Sequence, residues 1–152
     1  MPGAARSRIR RADVRAALAG ATAAATWAAA EPLAQRLFRT PYSDVRLLGA
    51  PISQRHWRAI GLTIHLVNGA AAGIAFNRLG LRGWRAGVAV FQVENLVAWP
   101  LTVVVDRFHP DRRSGAWPPL LRNGRVFGQE AAVHALFGAV LGSIVDRAPR
   151  NS

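Results

Sequence analysis

The sequence predicts an all-α integral membrane protein of four spans, arranged as two tandem helical hairpins. Three observations predict it. The first is the layout of charge: arginine supplies all 20 basic residues against 8 acids, for a net charge of +12. Such a surplus belongs either to a nucleic-acid surface or to the flanks of membrane spans. The arginines fall in clusters at 6–15, 36–58, 78–85, 107–125 and 147–150, with nearly charge-free stretches between them. That is an alternation of loops and spans, so the partner it implies is the lipid bilayer and not nucleic acid. The second is a motif written twice: HLVNGAAAGIAFNR at 65–78 and HALFGAVLGSIVDR at 134–147, both H-x3-G-x3-G-x3-[N/D]-R, offset by 69 residues. The third is four stretches of about 20 mostly apolar residues, each long enough for a span; cysteine is absent, which excludes disulfides, thiolate metal sites and cysteine nucleophiles.

A membrane helix needs about 20 mostly apolar residues. The spans are placed at 16–35, 59–77, 86–105 and 126–145, with interfacial loops at 36–58 and 106–125, all in one integral membrane domain of residues 1–152. Span 1 is built largely of alanine. Its approach also reads as a secretory signal with an A-x-A site at Ala28–Ala30, and cleavage there would leave Glu31 as the first residue. Span 2 carries His65, Asn68 and the small-residue stripe Gly61, Gly69 and Gly73. Span 3 holds Gln92, Glu94 and Asn95, with Pro100 expected to kink it. Span 4 repeats the stripe of span 2 as His134, Gly138 and Gly142, preceded one turn earlier by Glu130. The 69-residue offset also aligns Pro41 with Pro110, which suggests duplication of a two-span unit whose copies share one orientation.

Orientation rests on arginine counts, and these tie at ten on each side. Five arginines precede span 1, and the long loops carry more acids, so the N-terminus is placed in the cytoplasm of a multi-pass cell-membrane protein. The long loops, with Trp57, Phe108 and Trp117, are expected along the headgroup surface. The arginines of 106–125 are offered there as lipid-phosphate forks, and His109 as an exposed side chain.

The candidate chemistry is an intramembrane polar cluster of His65, Asn68, Glu94, Asn95, Glu130 and His134, with Glu31 able to join it. Its plainest role is interhelical hydrogen bonding. A second role is proton or ion handling by the Glu and His groups. A third is bis-histidine haem or a metal on His65 and His134, which should share a depth and face the bundle interior. Asn95 is read as a cap for the carbonyl that Pro100 frees. Gly61, Gly69, Gly73, Gly138 and Gly142 are read as helix-packing positions, within the chain or in a homo-oligomer. No P-loop, H-E-x-x-H, G-x-S-x-G or dinucleotide fingerprint occurs, so a non-enzymatic membrane component without cofactor, acting by self-association or through a membrane partner, leads, with a transporter-like protein next.

Through HLVNGAAAGIAF, FQVENLVAWPLTVVVDRFHPDRR and LLRNGRVFGQEAAVHALFGAVLG, the chain resembles small four-helix integral membrane proteins of high-GC actinobacterial type. The resemblance spans Trp27 to Val145 and implies the four-span architecture. Such proteins have no assigned activity, so it implies no catalytic residue.

Overall fold

The computed structural model describes residues 2–146, with side chains from Arg10 onward. Arg147 of the second motif and the tail arginine Arg150 lie outside the described residues, and the side chains of Arg6 and Arg8 are likewise not described. Every regular element among the described residues is helical. The order is α1 (Pro2–Phe38), α2 (Asp44–Gly49), α3 (Trp57–Arg78), α4 (Gly83–Ala98), a 3-10 turn at Trp99–Leu101, α5 (Thr102–Phe108), α6 (Pro110–Arg113) and α7 (Gly124–Asp146).

Three stretches are long and apolar enough to cross a membrane: Trp57–Arg78, Gly83–Phe108 and Gly124–Asp146. The first and third contain the spans expected at 59–77 and 126–145. The second runs beyond the expected 86–105 at both ends. It passes Pro100 by tightening into the 3-10 turn and resuming as α5. Proline lacks the N–H of a regular helical bond, and a short 3-10 segment absorbs that loss. The fourth expected span, 16–35, lies in α1, which is not among the three. Its apolar face is alanine, a good helix former with little apolar surface.

α1 ends where Arg39 takes a left-handed φ of 53° and the Thr40 N–H bonds back to the Gln35 carbonyl at 3.0 Å. This is the Schellman arrangement that usually carries glycine. Ser43 then caps α2, its hydroxyl accepting the Arg46 N–H. Asn123 caps α7 in the same way, its side-chain oxygen accepting the N–H groups of Arg125 and Val126.

α1 is the central helix. It packs on α3 along one side and on α7 along another, and α4 packs on α7. Both long seams are made by glycine. A β-carbon on Gly69 or Gly73 would collide with Gly20, and with Ala24 or Ala16, of α1. One on Gly138 would collide with the Gly87 backbone of α4, and one on Gly142 with Gly83 and Trp84. Gly61 meets Val45 and Gly49, seating α2 on α3. All five expected packing glycines therefore lie in seams within the chain. Close backbone approach there gains dispersion contacts that larger side chains forbid.

α3 and α4 follow one another through the turn at 79–82 yet scarcely touch. The long helices stand in the order α3, α1, α7, α4, as an open arc. Phe76 of α3 and Phe91 of α4 stack across the opening near the turn, ring centroids 6.4 Å apart, and Phe137 of α7 meets Phe91 edge-on at 4.5 Å.

The long loops do not lie flat on a surface. Tyr42, Trp117, Leu120 and Val126 are buried together as a second small core, with Leu47, Trp99 and Val105 against it. His109 is buried, not exposed: its ring lies parallel to Trp117 at 4.4 Å, and its Nδ1 accepts the Asp111 N–H. Burial holds this imidazole below its ordinary pKa, with the nearby Asp111 carboxylate opposing the shift. Two arginine forks hold the loops. Arg46 grips Asp111 through two bonds of 2.6 and 2.7 Å, and Arg112 grips Asp106 at 2.9 Å. Asp106 also accepts the N–H groups of Leu120 and Leu121. Both arginines bond inside the protein, and Arg46 further lies over the Trp57 ring. Of Trp57, Phe108 and Trp117, Phe108 alone is exposed.

Candidate functional site

The opening between α3 and α4 leads into a cavity of about 600 Å³. Its floor is α1 and α7, and α2 closes one end. The six residues of the expected polar cluster all line it. His65, Asn95, Glu130 and His134 are buried, while Asn68 and Glu94 are exposed at the mouth between the helices. Helical spacing accounts for this placement. His65, Gly69 and Gly73 share one stripe of α3, as Glu130, His134 and Gly138 share one stripe of α7. The glycines that draw each helix onto its neighbour therefore also turn the histidines inward.

The two histidines meet on one side chain. The Trp27 indole packs edge-on against His65 at 5.1 Å and against His134 at 4.4 Å. Both imidazoles thus pack on the same indole. Among the described residues, no group of three or more His, Asp or Glu side chains is placed to hold a metal ion. His134 is the hub of the acids. Its Nε2 lies 3.0 Å from a Glu94 oxygen, and its Nδ1 lies 2.7 Å from the Glu130 carbonyl and 4.0 Å from the Glu130 carboxylate. The 2.7 Å contact requires the proton on Nδ1, which leaves Nε2 free to accept a proton from Glu94 or, once charged, to donate to it.

Asp44 is the acid that the sequence reading passed over. It accepts the Trp27 indole N–H at 3.1 Å and the Tyr42 hydroxyl at 3.0 Å. Burial, reinforced by the Asp44 charge, pushes the Tyr42 hydroxyl well above its ordinary range, so it stays protonated and donates. Glu31 accepts the Ser43 hydroxyl at 2.9 Å and the Asp44 backbone N–H. Glu130 in turn is neighboured by the carboxyl groups of Asp44, Glu31 and Glu94. The sign that might have revealed Asp44 was its place after Ser43, a helix-capping pair ahead of Val-Arg-Leu-Leu. Trp27 was signalled as the one aromatic residue of 16–35.

Comparison with known proteins finds no matching family model, no similar curated protein and no similar solved structure. The site is therefore read from its own chemistry.

That chemistry has an unusual division of charge. Asp13, Asp106 and Asp111 each hold an arginine, respectively Arg78, Arg112 and Arg46. Glu31, Asp44, Glu94 and Glu130 lie within ion-pair distance of no arginine among the described residues, and three of them line the cavity. Among the described residues, no arginine lines it. Three polar atoms in its wall are buried without a hydrogen-bond partner: His65 Nε2, Asn95 Nδ2 and Glu130 Oε1. Asn95 therefore does not serve Pro100 through its amide N–H groups; its side chain is turned into the cavity. Gln92, by contrast, does bond between helices, its Nε2 donating to the Ala131 carbonyl at 2.6 Å. The arrangement can accept and pass protons among His134, Glu94 and Glu130, and it can hold positive charge against carboxylates in an apolar surround.

Proposed function

We propose that this chain is a non-enzymatic, multi-pass cell-membrane protein of four spans whose working part is the acid–histidine cavity, binding a solute there in exchange for protons, in the manner of a transporter. The observation that carries the reading is the gathering of three acids without an arginine partner, Asp44, Glu94 and Glu130, with His65 and His134 around one cavity, in a chain with 20 arginines. Intramembrane ionisable groups are costly, and a structural role alone would be served more cheaply by neutral amides.

α1 is the fourth span in this reading. Its length and its glycine-and-alanine seam on α3 support that count, because its polar backbone and small side chains are shielded by neighbours on two sides. Two tandem hairpins, α1–α3 and α4–α7, follow as a duplication. Gly69 and Gly73 meet Ala16, Gly20 and Ala24 in the first, while Gly138 and Gly142 meet Gly83 and Gly87 in the second. These glycines are occupied within the chain, which supports a packing role for the stripe inside one molecule. We place the N-terminus in the cytoplasm, with the α3–α4 turn on the same side. The Phe76, Phe91 and Phe137 rings, between the cavity and that turn, are the barrier a transport cycle has to open.

The test is proton movement in proteoliposomes carrying a trapped pH dye under a potassium diffusion potential. Glu94→Gln and His134→Ala are expected to slow it by about tenfold or more, equivalent to about 1.4 kcal/mol on the barrier, with thermal stability little changed. Variants that lower only the melting temperature and leave proton movement at the parent rate return the cluster to a packing role.

A further inference from the structure

The cavity combines three features that select a ligand by charge as well as by shape. The first is a surplus of acids over bases. Asp44, Glu94 and Glu130 line it with His65 and His134, the His134 imidazole 3.0 Å from Glu94, and no arginine among the described residues reaches its wall. The second is a set of atoms still seeking a partner. Glu130 Oε1, on a residue only 4% exposed, accepts nothing within the protein, and Asn95 and His65 each leave a buried nitrogen unbonded. The third is an aromatic, apolar remainder. Trp27, Phe91, Trp99 and Phe137 contribute ring surface to the same wall. Ring faces attract cations, and the attraction grows as water is removed.

Access completes the picture. The mouth lies between α3 and α4, and it carries Asn68 and a Glu94 side chain that is 53% exposed. The outer face of α4 and α5 beside it is apolar, with Val93, Val97, Leu101 and Val104 exposed. A ligand reaching this mouth arrives from the bilayer, so it must itself partition into lipid. A volume of about 600 Å³ suits a small amphiphile, within the range of ordinary ligand pockets.

From this we infer that the cavity takes a cationic amphiphile, a protonated amine on an apolar or aromatic body, entering between α3 and α4 with its ammonium group on Glu94 and Glu130. The inference rests on the proposed reading of the cavity as a solute site and adds the class of solute. An ammonium group supplies the donors that Glu130 Oε1 lacks, and its charge takes the place of the arginine present at Asp13, Asp106 and Asp111. An anionic amphiphile would meet three carboxyl groups with no arginine among the described residues to offset them. An ammonium group on Glu94 and Glu130 competes with protons for the same carboxylate oxygens, which links occupancy to proton release.

The test compares three probes with one skeleton: phenylbutylammonium, phenylbutanol and phenylbutyrate. Binding to the full-length protein in lipid nanodiscs is measured by calorimetry, with empty nanodiscs subtracted. The ammonium probe is expected to saturate one site per chain and to bind about tenfold or more tighter than either counterpart, as charge-assisted hydrogen bonds allow. Glu94→Gln, whose half-exposed side chain makes the fold tolerant of the change, is expected to weaken the ammonium probe about tenfold and leave phenylbutanol unaffected. Leu18→Ala, on the exposed face of α1, is expected to change neither. Equal binding of phenylbutanol, or tighter binding of phenylbutyrate, overturns the inference. No saturable binding of the ammonium probe, with proton movement still sensitive to Glu94→Gln, overturns the amine class and leaves the proposed function standing. Selective amine binding without proton movement has the opposite effect: the ligand class stands and the proton linkage falls.

Discussion

Substituting Gly138 by alanine tests whether the α4–α7 seam is as close as the coordinates place it. The added β-carbon would fall within the Gly87 carbonyl group, backbone against backbone, so no side chain can swing aside. Relieving the overlap parts the helices by about 1 Å, a gap that forfeits about a quarter to a half of each dispersion contact across it. Overpacking of this kind costs about 1–3 kcal/mol, and the better helix propensity of alanine returns at most about 1 kcal/mol. A net loss of about 1–2 kcal/mol follows. Gly124→Ala is the control, because a β-carbon there meets nothing within 4 Å. The assay is reversible unfolding of the purified protein in mixed micelles by titration with dodecyl sulfate, followed by circular dichroism. Gly87→Ala should match Gly138→Ala, and the double variant should cost less than their sum, since either change opens the same seam. Gly138→Ala at parental stability would refute the packing argument.

Three further outcomes follow from the cap, the second small core into which the loops 36–58 and 106–125 pack. Arg39→Gly removes a left-handed non-glycine residue at the end of α1 and should stabilise the protein by about 0.5–1 kcal/mol in the same titration; a loss would contradict the Schellman geometry. Asp111→Asn breaks a fork whose acid is only 4% exposed but whose arginine is 31% exposed. Its cost should therefore fall between surface and buried values, at about 1–2 kcal/mol in a thermal melt, and no change would show the fork to be incidental. The third concerns pH. His109 has a folded-state pKa below its ordinary value near 6.5, so the unfolded chain takes up the proton first. Its contribution is present above about pH 6.5 and is lost as pH falls below that value. Melting followed by tryptophan fluorescence should drop more between pH 7.5 and 5.5 in the parent than in His109→Gln; an equal drop would place the sensitivity elsewhere.

The parts of the fold legible in the sequence were those with a period. The four-residue spacing of His65, Gly69 and Gly73, and of His134, Gly138 and Gly142, marked one face on each of two helices, and those faces are buried. Glu130 followed from His134 by one helical turn. The cap was illegible because its elements are only four to seven residues long and its contacts join distant segments, as when Arg46 reaches Asp111 across 65 positions. Burial of His109 depends on Trp117 folding back over it, which no local pattern announces. α1 was the faint span because hydropathy measures apolar area. Alanine offers little, although Ala16, Ala23 and Ala24 pack tightly where a larger residue would not fit. Asn95 had an attractive local explanation in Pro100, and only the geometry turned it into the cavity.

The central claim is that the carboxyl groups of Asp44, Glu94 and Glu130 form one neighbouring set at the cavity. Infrared difference spectroscopy of the protein in nanodiscs, stepped in pH, reads the carbonyl stretch of protonated acids directly. The account predicts a protonated-carboxyl band that is lost in Glu130→Gln, shifted in Glu94→Gln and Asp44→Asn, and untouched by Asp106→Asn, whose side chain is tied to Arg112 outside the cavity. Identical spectra in the parent and all four variants would contradict it.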